Sequence, residues 1–136
     1  MVVHSDLNCL SVMQYAIAVL KVKHVVVCGH YGCGGVKASQ DKQDHGLIDN
    51  WLRHIQDVSR THAAELETFD DSDQKLARLC ELNVIEQVTN VCQSPIVQQA
   101  WQSGAELSVH GLIYSLQTGV LHDLNVTHSS PESIEK

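Results

Sequence analysis

No apolar run in the 136 residues approaches the roughly 18 that a membrane-spanning helix requires, so no membrane partner is expected. Positive charge is scarce as well: 9 lysines and arginines stand against 16 aspartates and glutamates, a formal charge of −7. A chain of that sign is poorly suited to gripping phosphate backbones, which argues against a nucleic-acid partner. Residues 1–6 (Met-Val-Val-His-Ser-Asp) carry no basic stretch leading into an apolar one, so no signal peptide is expected and the location reads as cytoplasmic. There is no internal repeat, low-complexity tract or linker, and the length suits a single domain over residues 1–136. Apolar residues at 43% and charged residues at 18% are ordinary for a folded chain and exclude disorder. Several motifs are also missing. Gly35-Val36-Lys37-Ala38 does not supply the Gly-Lys-Ser/Thr of a phosphate loop, and Gly32-x-Gly34 is followed by Lys37 where a dinucleotide fingerprint needs glycine. The five cysteines, at positions 9, 28, 33, 80 and 92, include no Cys-x-x-Cys redox pair, and their odd number suits reduced thiols.

What is present reads as an α/β chain. Ser5 or Asp6 is placed to cap a helix with Leu10, Met13, Ile17 and Leu20 on one face. His24 to Gly29 (His-Val-Val-Val-Cys-Gly) is a strand whose consecutive β-branched residues predict cover on both faces, the habit of parallel sheets, with Cys28 in its core. A short helix is expected from near Val36, after which residues 41–46 form a polar loop. Leu47 to about Ala64 reads as one long helix with Ile48, Trp51, Ile55, Val58 and His62 on a stripe, and Trp51 and Trp101 as buried anchors. Glu65 to Asp73 is an acidic, solvated connection. Ser72 caps a second long helix to about Cys92, with Leu76, Cys80, Val84, Val88 and Val91 inward. Ser94-Pro95 restarts a helix that stops at Gly104. Leu107 to Ile113 and Val120 to Thr127 are strands joined in a hairpin through Gln117-Thr118-Gly119, and Ser130-Pro131 opens a short terminal helix.

One segment carries chemistry: Cys28-Gly29-His30-Tyr31-Gly32-Cys33-Gly34-Gly35. His30 and Cys33 lie three apart in a loop at the C-terminal end of a strand, where open α/β sheets bind their ligands. Imidazole nitrogen and thiolate sulfur are preferred zinc donors, and flanking glycines let short side chains converge on one ion.

The run from His24 to Gly35, followed by Asn50-Trp51-Leu52-x-His54-Ile55 and Glu81-Leu82-Asn83-Val84-x-Glu86-Gln87-Val88, resembles a bacterial β-class carbonic anhydrase. The opening Asp6-Leu7-Asn8-Cys9-Leu10-Ser11-Val12 and the later Val109-His110-Gly111 agree with it in order. The resemblance implies a zinc-dependent reversible hydration of carbon dioxide to bicarbonate and a proton. In that reaction, zinc held by two cysteines and a histidine lowers the pKa of a bound water to about 7. It assigns His30 and Cys33 as two of the three metal ligands and Gly34 and Gly35 to the pocket loop, with backbone N–H groups available. Tyr31 is expected to pack beside the site.

The family's other half-site, a Cys-x-Asp-x-Arg motif, occurs nowhere in this chain; Cys9 is followed by Leu10-Ser11-Val12-Met13. The expected fold is therefore a partial one: a parallel sheet with a C-terminal antiparallel hairpin strand, flanked by helices, without the family's N-terminal strands. Two ligands do not close a tetrahedral zinc site, so zinc occupancy and hydration are expected to be weak or absent in this chain alone. The alternatives are a non-catalytic oligomeric α/β remnant and a chain whose site is completed in trans by another polypeptide. The strand at His24 to Gly29 is expected to have an unpaired edge, which favours a homo-oligomer.

Overall fold

The Asp6 carboxylate accepts the Asn8 backbone N–H at 2.9 Å and starts helix α1, Leu7–Gln14. The computed structural model describes residues 1–41 and 43–134; Lys42 of the polar loop and Glu135 and Lys136 of the tail lie outside that description. α1 widens into a π-helical segment, Tyr15–Val19, closed by Leu20 N–H to the Tyr15 carbonyl at 3.0 Å, and the chain leaves it through Lys21 at φ +54°. Strand β1, His24–His30, is followed by α2, Gly34–Gln40, then α3, Ile48–Thr61, and the single turn α4, Ala63–Leu66. The long helix α5, Ser72–Gln93, leads to α6, Pro95–Gln102, where the Ser94 hydroxyl accepts the Val97 N–H. Strands β2, Ser108–Ser115, and β3, Val120–His128, and a 3₁₀ turn, Pro131–Ser133, complete the order.

The three strands form one sheet in the order β1-β2-β3. Backbone bonds tie residue 23 to 108 and residue 31 to 114, so β1 and β2 run parallel, while the short turn 116–119 returns β3 antiparallel. β1 is therefore an edge strand among the described residues.

The chain divides into two compact units, and β1, β2, β3 and α5 each contribute residues to both. The first comprises residues 1–27, 85–112 and 123 onward. In it α6 packs against the π segment, Val88, Val91, Cys92, Val97 and Val109 are buried, and the Trp101 indole N–H donates to the Leu107 carbonyl at 2.8 Å. Gly104, at φ +78°, ends α6 in the left-handed conformation that glycine adopts without a Cβ penalty. The second comprises residues 28–84 and 113–122. There α2 packs against α3, and Val36, Leu52, Ile55, Val58, Leu66, Leu79, Leu82, Val84 and Ile113 are buried.

Several expectations need correction. β1 is not covered on both faces: His24, Val26 and Cys28 are exposed, so Cys28 is not core. Trp101 is buried as expected, but Trp51 remains 42% exposed because α3 turns Leu52 inward with Ile55 and Val58. Ile48 and Leu20 are exposed too. The long helix from Leu47 breaks at His62, whose backbone leaves the helical region at φ −103°, ψ 21°, and Leu66 in the acidic connection is buried. Gly34 and Gly35 are the first two residues of α2 rather than part of a loop.

Candidate metal centre

β1 delivers His30 at its C-terminal end, and the turn that follows needs glycine at Gly32, φ +69°. Cys33, extended at φ −61°, ψ 120°, leads directly into α2, whose first-turn amides have no intrahelical carbonyl to donate to. The His30 Nδ1 lies 3.0 Å from the Tyr31 carbonyl oxygen. A carbonyl can only accept, so Nδ1 carries a proton, and in the neutral ring Nε2 then keeps a bare lone pair, the state of a metal-binding imidazole oriented by a backbone acceptor. Both His30 and Cys33 are half-buried, and Cys33 is a free thiol.

Close approach explains the glycines unevenly. A Cβ at Gly29 would sit 2.4 Å from Val84 Cγ2, so only hydrogen fits where β1 crosses α5. A Cβ at Gly35 would meet the Trp51 ring at 3.6 Å and the Cys33 sulfur at 3.9 Å, ordinary contacts, whereas one at Gly34 would meet nothing within 4 Å.

Three neighbours were not singled out as site residues from the sequence. Cys80, read as core, is buried but lies beside Cys33. Burial pushes its thiol pKa up, offset in part by backbone N–H donation from Cys33 and Gly32. Glu81 accepts the Tyr31 hydroxyl at 2.6 Å and Arg78 Nη1 at 2.7 Å, and Arg78 Nε reaches Glu65 at 2.6 Å. Burial, followed by the Glu81 hydrogen bond, pushes the Tyr31 phenol up to about 12. Glu81 belongs to the segment Glu81-Leu82-Asn83-Val84 that marked the resemblance, which was the available signal.

His30 and Cys33 are the right kinds of donor for zinc but are too few. Among the described residues, no three His, Cys, Asp or Glu side chains are grouped to hold a metal.

Residues 1–121 match the protein-family model described as carbonic anhydrase. A carbonic anhydrase of Emericella nidulans is 46% identical over 121 residues, covering 89% of this chain and 53% of that protein. One from Candida albicans is 35% identical, covering 96% and 47%. Among solved structures, a Coccomyxa β-carbonic anhydrase in complex with acetazolamide superposes with a TM-score of 0.91 at 40% identity, over 97% of this chain and 60% of that one. A tetrameric β-carbonic anhydrase of Sordaria macrospora gives 0.85 at 32%, over 94% and 65%. The chain spans about half the length of the curated relatives it matches. With its mixed α/β sheet and a match running through nearly every element, the chain belongs to the carbonic anhydrase family, in its β class.

Proposed function

We propose that the protein serves the reversible hydration of carbon dioxide to bicarbonate and a proton, with His30 and Cys33 as two zinc donors and Gly34 and Gly35 lining the pocket. The observation that carries this reading is the His30 ring, whose Nδ1 is engaged by the Tyr31 carbonyl at 3.0 Å so that Nε2 is the nitrogen left for a metal, three residues before a free Cys33, in a chain whose residues 1–121 match the family. Zinc, when bound, supplies a hydroxide nucleophile at neutral pH. The chain's own part is to hold the imidazole and thiol in place and to present the first-turn amides of α2.

We read the donor set as completed by residues outside the 136, either on the same polypeptide or on another, bearing the Cys-x-Asp-x-Arg element. Stopped-flow hydration assays on the chain alone and mixed with a polypeptide carrying that element test this. The expected result is no zinc-dependent hydration alone, hydration on mixing, and its loss with Cys33→Ala. Hydration by the chain alone would show a complete site within it, and no gain on mixing would overturn the reading.

A second reading, an oligomeric module without metal chemistry, is favoured by the exposure of Leu7, Val12, Tyr15, Val19, Leu20 and Val26. In either reading the chain forms a homo-oligomer, and a monomer by sedimentation at micromolar concentration would contradict it. We further propose a cytoplasmic location, since an odd number of cysteines at irregular spacing suits reduced thiols.

A further inference from the structure

We propose that Tyr31 and Glu81 are a positioning pair that presets His30 with its proton on Nδ1, so that the fold rather than the metal selects the donor nitrogen. The inference rests on reading His30 as a ligand, and it concerns residues that are not ligands themselves.

Tyr31 is held at three points. Its N–H donates to the Tyr114 carbonyl at 3.0 Å, its carbonyl receives the His30 Nδ1 proton at 3.0 Å, and its hydroxyl donates to Glu81 Oε1 at 2.6 Å. The first bond fixes the residue to β2 and the third to α5. The carbonyl between them is therefore not free to turn away from the imidazole. Glu81 is itself held, because Oε2 accepts Arg78 Nη1 at 2.7 Å while Arg78 Nε is anchored on Glu65 at 2.6 Å. These side chains are partly shielded, with Glu81 at 21% and Arg78 at 30% exposure, so the bonds compete less with water than a surface pair would. A free imidazole ordinarily prefers its proton on Nε2, which would block the donor position. The Tyr31 carbonyl reverses that preference only while it stays in place. Outer contacts of this kind orient a ligand, and changing them typically costs about 10–100-fold in metal affinity.

The test is long-range ¹⁵N correlation spectroscopy of the His30 ring in the metal-free full chain, at a pH of about 8.5, where an ordinary imidazole is neutral. The wild type is expected to show a protonated Nδ1 and a bare Nε2. Tyr31→Phe and Glu81→Ala are expected to move the ring toward the Nε2-protonated form, raising its population several-fold. Glu81→Gln, whose amide oxygen still accepts the hydroxyl, is expected to keep the wild-type pattern. If Glu81→Ala fails to fold, Tyr31→Phe, which removes one oxygen, carries the test alone. A protonated Nε2 in the wild type, or a pattern unchanged in folded Tyr31→Phe, would overturn the proposal. Failure of the ligand reading appears elsewhere, as zinc binding indifferent to His30→Ala, and leaves this metal-free readout intact.

Discussion

β2 buries every second residue, Val109, Gly111, Ile113 and Ser115, whereas its parallel neighbour β1 buries none. The two are paired in one sheet, yet β1 is the more continuously apolar, with Val25, Val26 and Val27 in succession. The difference lies in position. β2 has a strand on each side, and β1 has one on one side only among the described residues. An apolar strand with an open edge is a surface awaiting a partner. Because His30 ends this same strand and Cys33 follows it, the incomplete cover of β1 and the proposed donor pair occur at one place in the chain.

The contrast is broken most forcefully by truncation. Ile113→Ala in β2 is expected to cost about 2–5 kcal/mol by urea denaturation, as for a fully buried aliphatic residue, while Val26→Ala in β1 costs below about 0.5 kcal/mol. Similar costs for the two would mean that β1 is covered in solution. Next comes the one place where β1 is tight. Gly29→Ala forces a Cβ against Val84 and is expected to cost about 1–3 kcal/mol, and pairing it with Val84→Ala should cost less than the sum of the two single changes.

The cysteines sharpen the same contrast. Burial pushes the Cys92 thiol from 9.0 up to about 12, so the unfolded chain releases that proton well before the folded one. Stability should therefore fall as pH rises from about 9 toward 12, and Cys92→Ala should flatten that slope in thermal melts. At pH 8, Cys28 on exposed β1 should react with a thiol reagent in the folded protein, while Cys80 and Cys92 should react only after denaturation. The smallest expected effect belongs to the exposed Lys23–Glu106 pair, where Lys23→Ala should leave the unfolding midpoint unchanged.

The elements themselves were legible because each carries a local signal: the Asp6 cap, the Ser94-Pro95 start, the Gly104 stop and the hairpin turn all stand where the sequence places them. Facing was less legible. Trp51 and Leu52 lie four and three residues before Ile55, so either fits one helical face, and only the tertiary fold decides between them, burying Leu52 and leaving Trp51 partly exposed. The exposure of β1 could not be read from its valines, since an apolar run records what a strand is suited to bury and not what is present to cover it. Of the site, His30 and Cys33 were visible from donor chemistry at close spacing. Glu81 lies 50 residues beyond Tyr31, and Cys80 shows no local sign of its nearness to Cys33, so the fold was needed to bring them together.

The two-donor centre is tested most directly by zinc content after dialysis against a chelator, measured on the wild-type chain and on His30→Ala, Cys33→Ala and, as a control, His24→Ala, whose ring instead lies 3.0 Å from His110. Two donors predict well under one zinc per wild-type chain after chelation. Whatever zinc binds beforehand should be reduced by the His30 and Cys33 changes and not by the His24 change. One zinc per chain retained through chelation, or retention indifferent to His30 and Cys33, would contradict it.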